Sequence, residues 1–211
     1  MNKINYQAMA CIVAACAVAN CGPRPAGAAK MTFFVTSDEA KRGGNLGGLT
    51  GADERCQALA DAVGAGQRSW HAYLSAAAAN GEAVNARDRI GRGPWINANG
   101  AEIASSVEDL HRADNRIRNA TALDERGQPV GYWHDMLTGS NPDGTLASGD
   151  VTCRNWTSTQ GHALVGHSDR GGEYGGARAA SWNSAHTTSA CTLPAFESAG
   201  GKGRFYCFAI N

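Results

Sequence analysis

Apolar and polar positions follow two rhythms up to about residue 111, lose any regular period over the next ninety residues, and regain one at the C-terminal end. The run Met31 to Thr36 (MTFFVT) is short and rich in β-formers, which predicts a first strand. Cys56, Leu59, Ala60 and Val63 recur at helical spacing up to Gly64. With Thr50 three residues before Asp53 in a capping-box-like start, this predicts a helix that turns Cys56 inward. Trp70 to Leu74 reads as a second strand, and Trp95 to Ile103 as a hairpin around Asn99-Gly100. Ser106 with Asp109 caps a second, shorter helix running through His111. Arg204 to Ile210 (RFYCFAI) alternates as a closing strand that carries Cys207.

Between Ala113 and Ala199, Gly, Ser, Thr, Asn and Asp dominate, and Trp133, Trp156 and Trp182 are the main large apolar anchors. Loops this long are usually functional or disordered, and the tryptophans together with Cys153 and Cys191 argue against disorder. No internal repeat, heptad or low-complexity tract is present. The pattern as a whole predicts a compact α+β domain with one elaborate loop region.

Composition sharpens this picture at three points. The 211 residues suit one domain plus a targeting segment, and the 31 Leu, Ile, Val and Phe residues make a thin core. Four cysteines beyond residue 50 supplement that core with disulfides, in any of three pairings. A formal net charge of zero, without a dense Lys/Arg block, argues against a nucleic-acid partner. Met1 to Ala29 has the layout of a secretory signal: Lys3, a weakly apolar run from Ala8 to Ala19, then Ala26, Gly27, Ala28 and Ala29. Two exits are open. Cleavage after Ala28 or Ala29 releases a periplasmic or secreted protein, whereas Val13-Ala14-Ala15-Cys16 reads as a lipobox. The second exit leaves an outer-membrane lipoprotein anchored through Cys16, the one membrane contact expected. The folded part then spans residues 30–211 in an oxidising compartment.

Candidate chemistry gathers in the loop-rich half. Thr138 to Trp156 holds a Pro-centred turn (Asn141, Pro142, Asp143), an acidic turn ending at Asp150, and Cys153 ahead of an apparent strand. The residues Asn141-Pro142-Asp143-Gly144 are also those of an ordinary β-turn. His134, Asp135, His162, His167, Asp169 and His186 form a second group, and imidazole with carboxylate is a transition-metal set. The metal reading rests on His134, His167, Asp169 and His186, although their spacing fits no zinc signature. Asp, His and Ser occur together without a nucleophile elbow, so a metal-dependent hydrolase is a remote alternative to a non-enzymatic module. Trp182 could stack on a sugar ring, while core filling is the expected role of at least two of Trp133, Trp156 and Trp182.

Several of these motifs carry a resemblance. Phe33 to Thr36, Gly44-Asn45-Leu46-Gly47-Gly48, Gly51-Ala52-Asp53-Glu54-Arg55-Cys56, Trp70 to Ser75 and Arg87 to Ile90 resemble secreted bacterial proteins called lectin-like. Gly51-Ala52-Asp53 before one cysteine, and Gly139 to Gly144 before another, are similar to endostatin-like domains. Both share the C-type lectin fold, and the order Cys56, Asn141-Pro142-Asp143, Cys153, Trp182-Asn183-Ser184, Cys191, Cys207 follows that fold's motif order. The resemblance covers Met31 to Asn211. It implies an α+β domain with two helices on a twisted, mainly antiparallel sheet and a long loop region. It also implies nested bonds, Cys56 with Cys207 and Cys153 with Cys191. By the same resemblance the module binds carbohydrate, with calcium held by Asn141, Asp143, Asp150, Asn183 and Ser184. Ser184 departs from the family's Asp and removes one charge from that shell. The implied partner is a glycan or, failing sugar binding, a cell-envelope or extracellular protein.

Overall fold

The computed structural model describes residues 27–78, 80–170 and 181–210. Cys16 and the expected leader up to residue 26 lie outside the described residues. Among those described, no helix is long and apolar enough to cross a membrane.

The fold is α+β. Strands β1 (Phe33–Val35), β11 (Tyr206–Ala209) and β2 (Trp70–Ala72) form an antiparallel sheet with β11 in the middle. Both faces of this sheet are covered. Phe34, Ala72 and Cys207 point to a core shared with helix α1 (Gly48–Ala62), while Phe33, Val35, Tyr206 and Phe208 point to a second core containing Tyr73, Trp95 and Trp182. Chain alternation divides the residues this way, because neighbours along a strand face opposite sides.

The two nested disulfides are present. Cys56–Cys207 ties α1 to β11 across 151 residues, and Cys153–Cys191 closes a 38-residue loop. Each closure restricts the unfolded chain and contributes about 2 to 4 kcal/mol, a large fraction of the stability of so thin a core.

Hairpins β3–β4 (Ala76–Ala77 with Ala83–Val84) and β5–β6 (Trp95–Ile96 with Glu102–Ala104) and the short helix α2 (Val107–Leu110) complete the first half. The second half adds β7 (Asp135–Leu137), β8 (Leu164–His167), β9 (His186–Thr187), helix α3 (Leu193–Ala199) and β10 (Gly201–Arg204). These four strands make a sheet in the order β10-β7-β8-β9, parallel at β10–β7 and antiparallel elsewhere.

Four expectations need correction. Helix α1 starts at Gly48 behind a left-handed Gly47 with no side-chain cap; Thr50 and Asp53 lie inside it, and the Asp53 carboxylate accepts from the Ala72 amide and Arg89 instead. The closing strand divides at Phe205 into β10 and β11, which belong to different sheets. Helix α3 was not expected, yet Thr192 caps the Ala195 amide at one end and Gly200 takes φ +106° at the other. Cys153 does not enter a strand. Cys153 to Trp156 form a single turn with φ between +51° and +64°, a left-handed conformation that costs about 1 to 2 kcal/mol per residue. Thr152 Oγ1 accepts from the Asn155 amide, the Trp156 indole donates to Ser75 O, and the Cys153–Cys191 bond fixes its start.

Candidate functional site

Two polar groups are organised around the β7–β8–β9 sheet, one toward each core. Met136 points to the core that holds Trp182, whereas Asp135 and Leu137 point the other way.

The first group is the Pro-centred loop. Gly144 N donates to Asn141 O at 2.9 Å, closing the β-turn that the residues predict. Gly144 takes φ +83°, and a Cβ there would lie 2.3 Å from His111 Nε2, so the loop packs tightly on its support. Asp143 Oδ1 accepts from the Thr145 amide and hydroxyl at 3.0 and 2.7 Å, bonds that hold its carboxyl below the usual range. Asn141 Nδ2 donates to Thr145 Oγ1 and Leu146 O. Beneath the loop, Asn183 is 1% exposed, and its Nδ2 donates to Asn141 O, Pro142 O and Tyr73 Oη. Two of these partners are carbonyls, which only accept, so the amide nitrogen must face the loop and the amide oxygen accepts from Ser181. Tyr73 Oη also meets His111 Nε2 at 2.7 Å, and the His111 Nδ1–H donates to Val107 O. Burial lowers the His111 pKa and raises that of Tyr73.

The structure therefore brings the two predicted halves together but does not assemble the expected calcium shell. Asn183 offers nitrogen where a cation needs oxygen, and Asp143 is engaged with Thr145. Asp150 lies in a separate depression beside Arg154 and Asn155, where its Oδ1 accepts from Thr152 and the Arg154 amide and so supports the left-handed turn. Ser184 is buried, with its amide on Ser181 Oγ. What the two halves do form is a cleft of about 470 Å³. Pro142, Trp182, Asn183 and Ser184 line it, with His111, Arg112, Asn115 and Arg170 around them. Trp182 is 3% exposed and packs on Tyr73 and Tyr206, so the expected stacking face is committed to the core. Trp156 is also core, while Trp133 is half-buried under Lys202.

The second group is the histidine–aspartate cluster. Register places Asp135 of β7 opposite His167 of β8. His186 of β9 stands opposite Val165, two residues before His167 and on the same face. Asp135 is 3% exposed, and three imidazoles surround its carboxylate. His134 Nε2 and His167 Nε2 lie 3.3 Å from Oδ1, and His186 Nε2 lies 3.4 Å from Oδ2. Neither carboxylate oxygen makes a hydrogen bond. The carboxylate is nevertheless close enough to raise the His186 pKa. His134 Nδ1 faces Asp169 Oδ2 at 3.2 Å. On the β10 side the wall is backbone: a Cβ on Gly201 would come within 2.9 Å of Asp135 Cβ, and one on Gly200 within 3.4 Å of His134 Nε2.

All four expected metal-group residues thus meet, in two overlapping sets that share His167: Asp135, His167 and His186, and His134, His167 and Asp169. His162 stays apart, with Nδ1 on Thr188 O. Asp135, at the centre, was missing from the expected ligand set. Its signal was the alternation Asp135-Met136-Leu137, which turns the carboxylate to the same face as a buried leucine. Tyr73 and His111 were missed as well, since only the folded chain brings them under a loop some 30 to 70 residues away. Compared with protein-family models and with curated proteins, the chain matches no family model and no curated protein.

Proposed function

We propose that the chain is an exported, non-enzymatic binding module of the C-type lectin-like fold whose ligand is a carbohydrate seated in the Pro142–Trp182–Ser184 cleft. The observation that carries this reading is the cleft itself, where the two predicted loop halves are locked together by Asn183 over an opening of about 470 Å³. That volume falls within the ordinary range for small-ligand sites, about 300 to 1,000 Å³, and an apolar floor with a few polar groups at the rim is their usual lining. The order of the cysteines and their nested pairing support the fold reading, and the two disulfides support export. Because Asp143 and Asp150 are turned to protein partners, the sugar is held by direct hydrogen bonds from groups such as Arg112 and Ser184 rather than through calcium.

A glycan-array screen of the exported part, run with calcium and again with chelator, tests this reading. Equal signal in both conditions is expected, with loss on Arg112→Glu at the exposed rim. Silence in both conditions overturns it. A second reading, a protein-interaction domain, draws on Tyr132, which is 75% exposed and packs edge-on against Trp133. Tyr132→Ala with intact glycan binding and loss of a captured envelope protein would favour that reading.

A further inference from the structure

The cluster around Asp135 lies on the other side of the sheet from the cleft and is independent of the carbohydrate reading. A buried carboxylate without hydrogen bonds costs several kcal/mol unless something compensates it. Three imidazoles stand around this one, yet at 3.3 to 3.4 Å they are too far for the charge-assisted bonds of about 2.7 to 2.9 Å that such pairs normally make. The spacing has another meaning. Ligand atoms each about 2.0 to 2.1 Å from a tetrahedral zinc stand about 3.3 to 3.4 Å from one another. Asp135 stands at that separation from His167 and His186, and the ligand atoms of all three lie within 4.8 Å of one another, so these three can share one ion.

From this geometry we infer that Asp135, His167 and His186 form a binding site for one divalent transition-metal ion, zinc by ligand chemistry. Two imidazoles and a carboxylate are nitrogen and oxygen donors of the borderline kind zinc accepts, and three such protein ligands are a set zinc is known to take without a thiolate. Asp169 supplies what such a site needs outside its ligands. Facing His134 Nδ1 at 3.2 Å, it holds that ring, whose Nε2 stands 3.3 Å from Asp135 Oδ1 and so keeps the ligand carboxylate in place. Glycines at 200 and 201 keep the β10 side clear of side chains that would crowd His134 and Asp135. With one ligand each from β7, β8 and β9, the ion would clamp the three strands together and keep one of its four positions open to solvent or a ligand.

The test uses the full oxidised chain, stripped with chelator and repurified. Zinc titration followed by calorimetry, metal content and thermal melting should give one zinc per chain and a raised melting temperature, with no rise from calcium or magnesium. Asp169→Asn should weaken zinc binding about 10- to 100-fold, the usual effect of losing a group that orients a ligand. His186→Ala, at a partly exposed position, and Asp135→Asn should weaken it further, while His162→Ala, away from the cluster, should not change it. No bound zinc in the native chain overturns the site. So does equal affinity in native protein and the folded His186→Ala variant, or a loss with His162→Ala as large as that with His186→Ala.

Discussion

The Pro-centred loop and the histidine–aspartate cluster are both polar, both buried at their centres and both placed by the same sheet, but their hydrogen-bond accounts differ. Under the loop, Asn183 donates to two carbonyls and a phenol and accepts from a hydroxyl, and Asp143 is occupied by Thr145. In the cluster, both oxygens of a buried carboxylate lack hydrogen bonds while three imidazoles stand just beyond reach. A fully satisfied network shapes the protein, whereas an unsatisfied one at ligand spacing is waiting for something from outside. Sequence composition favours the loop as a cation site; physical accounting favours the cluster.

The largest effect should come from breaking the satisfied side. Asn183→Ala leaves two carbonyls and the Tyr73 hydroxyl short of a donor, a loss of about 3 kcal/mol. At about 2 to 4 °C per kcal/mol for a chain of this size, the melting temperature should fall by about 6 to 12 °C. A change under a degree would show that the network is not what holds the loop. Gly144→Ala should follow at about 2 kcal/mol, because a Cβ meets His111 Nε2 at 2.3 Å and φ is +83°. Denaturant titration would measure it.

On the unsatisfied side the sign should reverse. In chelator-treated protein, Asp135→Asn removes a buried charge that makes no hydrogen bond and should change stability by less than about 1 kcal/mol, or raise it. A loss as large as that of Asn183→Ala would mean that the imidazoles already satisfy the carboxylate. The smallest effect is the loop's response to pH. His111 has a lowered folded pKa, so its contribution is complete above the ordinary histidine value and is lost as pH falls through the folded one. Asp143, also lowered, adds a loss at more acid pH, as its carboxylate is protonated away from Thr145. Melting curves of native and His111→Gln protein should therefore converge as pH falls from neutral, and parallel curves would remove His111 from the account.

What could be read from the sequence depended on the range of the interaction. Local periodicity gave β1, α1, β2, the Asn99-Gly100 hairpin and the Ser106 cap, each set by residues within a few positions of one another. Helix α3 carries local signals too, Thr192, Pro194 and Gly200, but they are hidden in a Gly- and Ser-rich background. The left-handed turn at Cys153 was not legible, since its strain is held by Ser75 and Cys191 from elsewhere in the chain as well as by the nearby Asp150. In the candidate sites, residue type identified His134, His167, Asp169 and His186, and the loop halves were expected to meet. Which atom each residue presents was set by long-range partners, such as Tyr73 110 residues from Asn183 and the register of β7 on β8.

The central claim is that the orphaned Asp135 carboxylate and its imidazoles form a metal site while the satisfied loop does not. X-ray absorption at the zinc edge of the zinc-loaded chain tests it most directly. Nitrogen or oxygen neighbours at about 2.0 to 2.1 Å are expected, with the outer-shell signature of two imidazoles, reduced to one in His186→Ala. A six-oxygen shell without imidazole scattering, or a spectrum unchanged by that substitution, would contradict it.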